Sequence, residues 1–172
     1  LGYLIGDADA GIVYRYSFNE LFNNYELVQT ITGTASFGTT ITYTDDTFVV
    51  SQPTGTPRVY VYQLVTNTLI NQLVPLSSAI IDPIPPEPWS PYYIAAPGGV
   101  TNWGSALAIS GDQNWLYISD TVNNSVHAYF KSQVTGTYQA SYIIDGDALG
   151  LTTAGDNFGY SISTDYYGEI GR

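Results

Sequence analysis

"WGSALAISGDQNWLYISDTVNNSVHAYF", residues 103–130, decides the fold. It opens on an aromatic-glycine pair and continues as three short runs in which apolar and polar residues alternate. A polar Gly-Asp turn separates the first two runs, and an Asn-rich loop separates the last two. Alternation over such short spans is the mark of β-strands. A fourth run follows in "TYQASYII", residues 137–144.

The same pattern recurs upstream in "FGTTITYTDDTFVVSQPTGTPRVYVYQL" from Phe37, with a fourth run at 67–74, "NTLINQLV". It starts a third time in "FGYSIS" from Phe158, where the later strands are missing. The N-terminal stretch supplies them: "YLIG", a Gly/Asp loop, "IVYRYSF", and then "YELVQTIT" at 25–32. Residues 158–172 followed by 1–32 therefore read as one complete repeat beside 37–74 and 103–144. The starts lie 103 − 37 = 66 and 158 − 103 = 55 residues apart. Four strands in such a span fit the blade of a β-propeller. The expected fold is all-β, with propeller-like blades of four antiparallel strands, about three repeats, and one blade split between the C- and N-termini.

Composition agrees. In 172 residues, hydrophobic types make up 44% and charged types 11%, with 16 Tyr and 17 Gly. That balance favours a packed core of strands and turns over disorder. No long stretch carries apolar residues at helical spacing.

The repeats resemble the FG-GAP repeats that build the propeller of integrin α chains and many secreted proteins. "YELVQTITGTASFGTTITY" and "GDNFGYSIS" carry the resemblance, and "AISGDQNWLYISD" is similar to the calcium-free branch, in which a short Gly-Asp turn joins the first two strands. The resemblance implies a secreted or surface location and an adhesive or ligand-binding role. It also invites calcium, held in that family by a loop of alternating oxygen ligands. The corresponding loops here carry Asp45 and Asp46, Asp112 and Asn114, and Asp165 and Glu169, none of them a full set. Elsewhere Asp7 with Asp9 and Asp145 with Asp147 offer two carboxylates each. Calcium at these pairs is one reading and solvated turn aspartates the other; no other cofactor is expected.

Other chemistry is thinly represented. A formal charge of −11, with four scattered basic residues, excludes a phosphate-binding surface and so nucleic acid. It also disfavours anionic membranes, and no apolar run could span a bilayer. Without cysteine there is no disulfide or thiolate chemistry. His127, the single histidine, lies in a strand at the position Tyr60 holds in the preceding repeat. With no nucleophile elbow nearby it reads as a packed or surface strand residue, and the chain is expected to be non-enzymatic. Asn123 heads one Asn-x-Ser glycosylation acceptor. The second repeat departs from the pattern in a proline-rich insertion, 82–99, holding Pro83, Pro85, Pro86, Pro88, Pro91 and Pro97. Trp89, Tyr92 and Tyr93 within it are candidate contacts for a protein or glycan partner.

The split repeat and the missing initiator methionine suit a section of a longer repetitive chain. An unpaired half-blade exposes strand edges, which proteins rarely leave uncovered, and a head-to-tail contact that does not close builds a filament. The expectation is an extracellular or cell-surface structural unit that self-associates head to tail. Leu1, Tyr3, Ile5, Ile162, Ile170 and Arg172 would lie at the junction. The alternative is a recognition module cut from a larger propeller.

Overall fold

The computed structural model describes residues 2–66, 71–75, 92–98, 100–153 and 155–165. It is all-β, with three antiparallel sheets in chain order. The first contains β1 (Gly2–Asp7), β2 (Ile12–Asn19) and β3 (Asn24–Thr32). The second contains β4 (Ile41–Tyr43), β5 (Thr47–Gln52), β6 (Arg58–Thr66), β7 (Asn71–Pro75) and β8 (Tyr93–Ala95). The third contains β9 (Trp103–Ile109), β10 (Trp115–Asp120), β11 (Ser125–Lys131) and β12 (Tyr138–Asp145). Residues 20–23 form the tight connection between β2 and β3.

The sheets pack face to face, which explains the nearly continuous apolar runs of the middle one. Successive side chains of a strand point to opposite faces. Val49, Val59 and Val61 therefore join Trp103, Leu107, Leu116 and Ile118 in the core between the second and third sheets. Val50, Tyr60 and Tyr62 turn the other way and meet Val13, with Leu4 and Phe48 at the margin. Val13, Val49, Val50, Val59 and Val61 are fully buried, and each contributes about 1.5–3 kcal/mol by leaving water.

Register makes the three sheets superposable residue by residue. The hairpin of each closes on Asp7↔Ile12, Gln52↔Arg58 and Asp120↔Ser125. One step inward lie Gly6↔Val13, Ser51↔Val59 and Ser119↔Val126. By the same count His127 corresponds to Tyr60 and Tyr14, opposite Ile118, Val50 and Ile5.

The proline-rich insertion sits differently from the sequence reading, which ran it from 82 to 99 outside the strands. Tyr93–Ala95 within that range pair with β6: Tyr60↔Tyr93, Val59↔Ile94 and Arg58↔Ala95. β7 pairs with the same edge one step further along, Tyr62↔Pro75 to Thr66↔Asn71. Between them the Tyr92 carbonyl accepts from the Val61 backbone N–H at 3.3 Å. Removing 76–91, which is 91 − 76 + 1 = 16 residues, would leave Pro75, Tyr92 and Tyr93 opposite Tyr62, Val61 and Tyr60 without a slip. Pro75 and Tyr92 thus stand at consecutive rungs of one outer strand, with 76–91 between them in sequence. The other two sheets break register at the corresponding point, between Arg15 and Tyr16 and between Ala128 and Tyr129. There a single extra residue, Val28 or Ser141, forms a bulge.

Candidate functional site

The aromatic-glycine pairs are the joints between sheets. Gly38, Gly104 and Gly159 all have positive φ, at +91°, +76° and +84°. Each lies against the hairpin of the preceding sheet. A Cβ on Gly38 would come within 3.0 Å of Val13 Cγ2, one on Gly104 within 2.8 Å of Val59 Cγ2, and one on Gly159 within 2.8 Å of Val126 Cγ2. Only glycine combines that dihedral with that approach. Phe37 and Trp103 beside them are buried.

Residues 158–165 therefore occupy, on the third sheet, the place that β4 takes on the first and β9 on the second. Phe158 and Ile162 pack against Ala108, Tyr117, Val126 and Ala128. The Phe158 backbone N–H donates to Asn124 Oδ1 at 3.2 Å, and Thr164 Oγ1 donates to the Ile109 carbonyl at 2.9 Å. The segment forms no strand, and Ser161, Ser163 and Asp165 on its other side are exposed.

The first sheet has the complementary deficit. β1 pairs with β2 alone among the described residues, so its other edge lies open. Its outward face repeats positions that the other sheets bury or half-bury. Tyr3 and Ile5 correspond to Phe48 and Val50, and to Leu116 and Ile118, yet are 39% and 48% exposed. Tyr3 stacks on Tyr16 at 5.0 Å and tilts against Tyr25 at 4.8 Å, an aromatic row with solvent beyond it.

Of the junction residues expected from sequence, Tyr3 and Ile5 lie on this face. Ile162 does not: it packs inward on its own third sheet, because residues of its parity face the preceding sheet. Leu1, Ile170 and Arg172 lie outside the described residues. Among the candidate contacts, Trp89 lies outside them too. Tyr92 and Tyr93 lie along the β6 edge of the second sheet. The Tyr92 hydroxyl donates to the Tyr138 carbonyl at 2.8 Å, while Tyr93 carries the Arg58 guanidinium 4.1 Å above its ring.

The paired aspartates serve their turns. Asp7 accepts from the Ala10 backbone N–H at 3.1 Å and Asp145 from that of Ala148 at 3.0 Å. Asp147 accepts from Asn124 Nδ2 at 3.2 Å and from the Thr152 hydroxyl. Asp9 lies in the β1–β2 turn. Among the described residues no three acids or histidines gather as a metal site. In the Gly-Asp turn Asp112 accepts from the Asn114 backbone and side-chain amides at 3.0 and 2.8 Å and from Ser110 Oγ. Burial pushes its carboxyl upward, and these hydrogen bonds together outweigh it, leaving the group below the usual range.

His127 lies close to Asp120 and Ser125, but not in series. Its Nε2 is 3.6 Å from Asp120 Oδ2 and 3.4 Å from Ser125 Oγ. Both approach the same ring nitrogen, so the ring does not bridge a serine to an acid as in a nucleophilic triad. Asp120, 2% exposed, caps the turn Thr121–Asn123. Asn123 Nδ2, the nitrogen a glycan would modify, donates to Asp120 Oδ2 at 2.8 Å. This polar cluster was not legible in sequence, since it joins a strand end to a loop.

Neither a protein family nor a curated protein sequence matches the chain. Solved structures do. The β-propeller domain of Cps50 (Swd1) from Myceliophteria thermophila superposes with a TM-score of 0.54 over 84% of this chain and 40% of its own, at 11% identity. The sheets are propeller-like blades. A 6-phosphogluconolactonase-like protein from Bacteroides fragilis gives 0.56 over 83% of this chain and 35% of its own, at 12% identity. One from Bacteroides uniformis gives 0.54 over 80% and 35%, at 15%. The chain spans between a third and two fifths of the length of these structures, and at such identities the likeness concerns the fold alone. Among the described residues no helix is long and apolar enough to cross a membrane.

Proposed function

We propose that the chain is a non-enzymatic structural unit, working outside the cell or on its surface, that assembles by completing a blade in trans. Residues 158–165 of one copy supply the innermost strand that the first blade of the next copy lacks. The observation that carries this reading is the shared seat of Gly38, Gly104 and Gly159, which gives 158–165 the position of an innermost strand. By the register of β4 with β5 and of β9 with β10, Ile162 would lie opposite Ile5, Ser163 opposite Leu4 and Thr164 opposite Tyr3. The exposed Tyr3–Ile5 face would then cover the third blade of its neighbour, an edge left open in the free chain. The finer assignment to FG-GAP repeats belongs to this proposal and is supported by the aromatic-glycine openings and the short Gly-Asp turn.

The chain has no native cysteine, so a double variant Ile5→Cys, Ile162→Cys tests the register cleanly. Oxidation is expected to give a ladder of covalent multimers, and electron microscopy to show filaments; discrete closed rings would count against a fibre. The pair Ile5→Cys, Thr164→Cys, two residues out of register, is expected to cross-link far less. A chain that stays monomeric at high concentration and cross-links with neither pair would reject assembly in trans.

A second reading is a recognition module of a larger propeller. Its support is that these blades superpose on a β-propeller domain of which they span 40%. It predicts a discrete particle whose further blades cover the same open edge.

A further inference from the structure

Two polar side chains meet at the seam between the second and third blades. Thr47 opens β5 and is fully buried. Gln113 stands in the turn between β9 and β10. The Thr47 hydroxyl lies 3.0 Å from Gln113 Oε1 and 3.1 Å from Asp46 Oδ1. A hydroxyl has one proton to give to these two acceptors. When it donates to Asp46, a lone pair on Thr47 Oγ1 is left for the Gln113 carboxamide. Lys131, at the end of β11, brings its ammonium within 3.5 Å of the same Gln113 oxygen.

Gln113 is held there under strain. Its φ is +62°, in the left-handed region that residues other than Gly, Asn and Asp seldom adopt. Its backbone N–H donates to the Ser110 carbonyl at 2.9 Å, and its own carbonyl accepts from the Tyr138 hydroxyl at 2.7 Å. Such strain persists where the surroundings impose it, and it gathers at reactive sites. Each group then has a chemical role. Thr47 is a hydroxyl nucleophile, Asp46 a base within reach of its proton, and Gln113 an acyl donor. Lys131 is a cation beside the oxygen on which negative charge would develop. The carboxamide carbon sits about 1.2 Å from Oε1, and the soft terminal torsion of the side chain lets it turn toward the hydroxyl.

We propose that Thr47 and Gln113 join in an ester that ties the second blade to the third. Thr47 Oγ1 bonds to the side-chain carbonyl carbon of Gln113 as its proton passes to Asp46. Asp46 returns that proton to the amide nitrogen, the carbon–nitrogen bond breaks, and ammonia leaves. Nothing is oxidised or reduced, and no co-reactant is consumed. The buried seat of Thr47 keeps water from the ester once it has formed. The bond goes beyond the assembly reading and does not rest on it, since both residues belong to one chain.

Trypsin cuts after Arg15, Arg58 and Lys131, which places Thr47 in peptide 16–58 and Gln113 in peptide 59–131. The purified chain, incubated at neutral pH, then unfolded and digested, is expected to give these two peptides as one species, lighter than their sum by one ammonia. Hydroxylamine should part them and leave a hydroxamate on residue 113. Thr47→Val should give separate peptides of full mass. Because that variant also loses a buried hydrogen bond, Asp46→Asn is the second: it keeps the hydroxyl and should form the bond about a hundredfold more slowly. Separate peptides from the native chain, or joined peptides in Thr47→Val, would overturn the ester. So would a link confined to 59–131 that resists hydroxylamine, the mark of an amide between Lys131 and Gln113.

Discussion

The Trp103 and His127 rings meet edge to face, with centroids 4.8 Å apart and planes at 77°. This contact joins the innermost strand of the third blade to the strand two places outward. It leaves the imidazole half-buried beside an apolar ring on one side and Asp120 on the other. Burial holds the His127 pKa below its usual value of 6.5, and Asp120 offsets this only in part.

A pH dependence follows with a definite sign. The folded chain binds the His127 proton less readily than the unfolded chain. The stability tied to this residue is therefore complete above the unfolded pKa and lost as pH falls from about 6.5 toward the folded value. Urea midpoints of the native chain are expected to drop more between pH 7.5 and 5.5 than those of His127→Gln. Parallel drops would show that the carboxylates alone set the acid limit.

Trp103 itself is fully buried, and its indole Nε1 has no hydrogen-bond partner among the described residues. Trp103→Ala is expected to cost about 3–5 kcal/mol by opening a cavity between two blades. Trp103→Phe should cost clearly less, because it also removes a buried unpaired donor. Chemical denaturation of the two variants gives the comparison; equal losses would mean that the N–H is not a liability.

The blade joints predict a graded glycine series. Gly55→Ala meets nothing within 4 Å and pays only for its φ of +76°, about 1–2 kcal/mol. Gly104→Ala has the same φ and additionally drives a methyl onto Val59 and Ser51, so its loss should be about 3 kcal/mol or more. Calorimetry that found the two equal would argue against the close approach of adjacent blades.

Deleting residues 76–91 is expected to leave the second blade folded, because Pro75 and Tyr92 would then run on in register. Deleting 77–91 instead keeps one residue as a bulge, as Val28 and Ser141 do in the other blades. Both variants should melt within a few degrees of the native chain. Unfolded material from both would show that residues 76–91 support the blade.

Much of this architecture was legible in the chain. The runs at 47–52 and 115–120 announce strands as short apolar stretches bounded by turn residues, and lining up Tyr60 with His127 already identifies the shared register of the strands that follow them. The outer strand of the second blade was not legible. Its halves are three and five residues long and far apart in sequence, and the prolines on either side mask the short "YIA" run. The pairing that unites them lies in β6, which no local pattern reports. The seat of the aromatic-glycine pairs was likewise hidden. A glycine in sequence shows freedom, while its reason, the valine of the preceding blade, appears only in three dimensions. Arg15 is 8% exposed and escaped for the opposite cause: one basic residue in an alternating strand looks like any solvent-facing position.

Pro75 and Tyr92, which flank 76–91 in sequence, stand at neighbouring rungs of β6. They are therefore fixed side by side whatever lies between them. Joining two ends so placed costs chiefly closure entropy, which grows only with the logarithm of the length between them, about 0.6 kcal/mol for each doubling. The outer strand of the second blade is accordingly where this fold can gain or lose whole peptides at almost constant stability. The inter-blade joints, by contrast, cannot admit one methyl group.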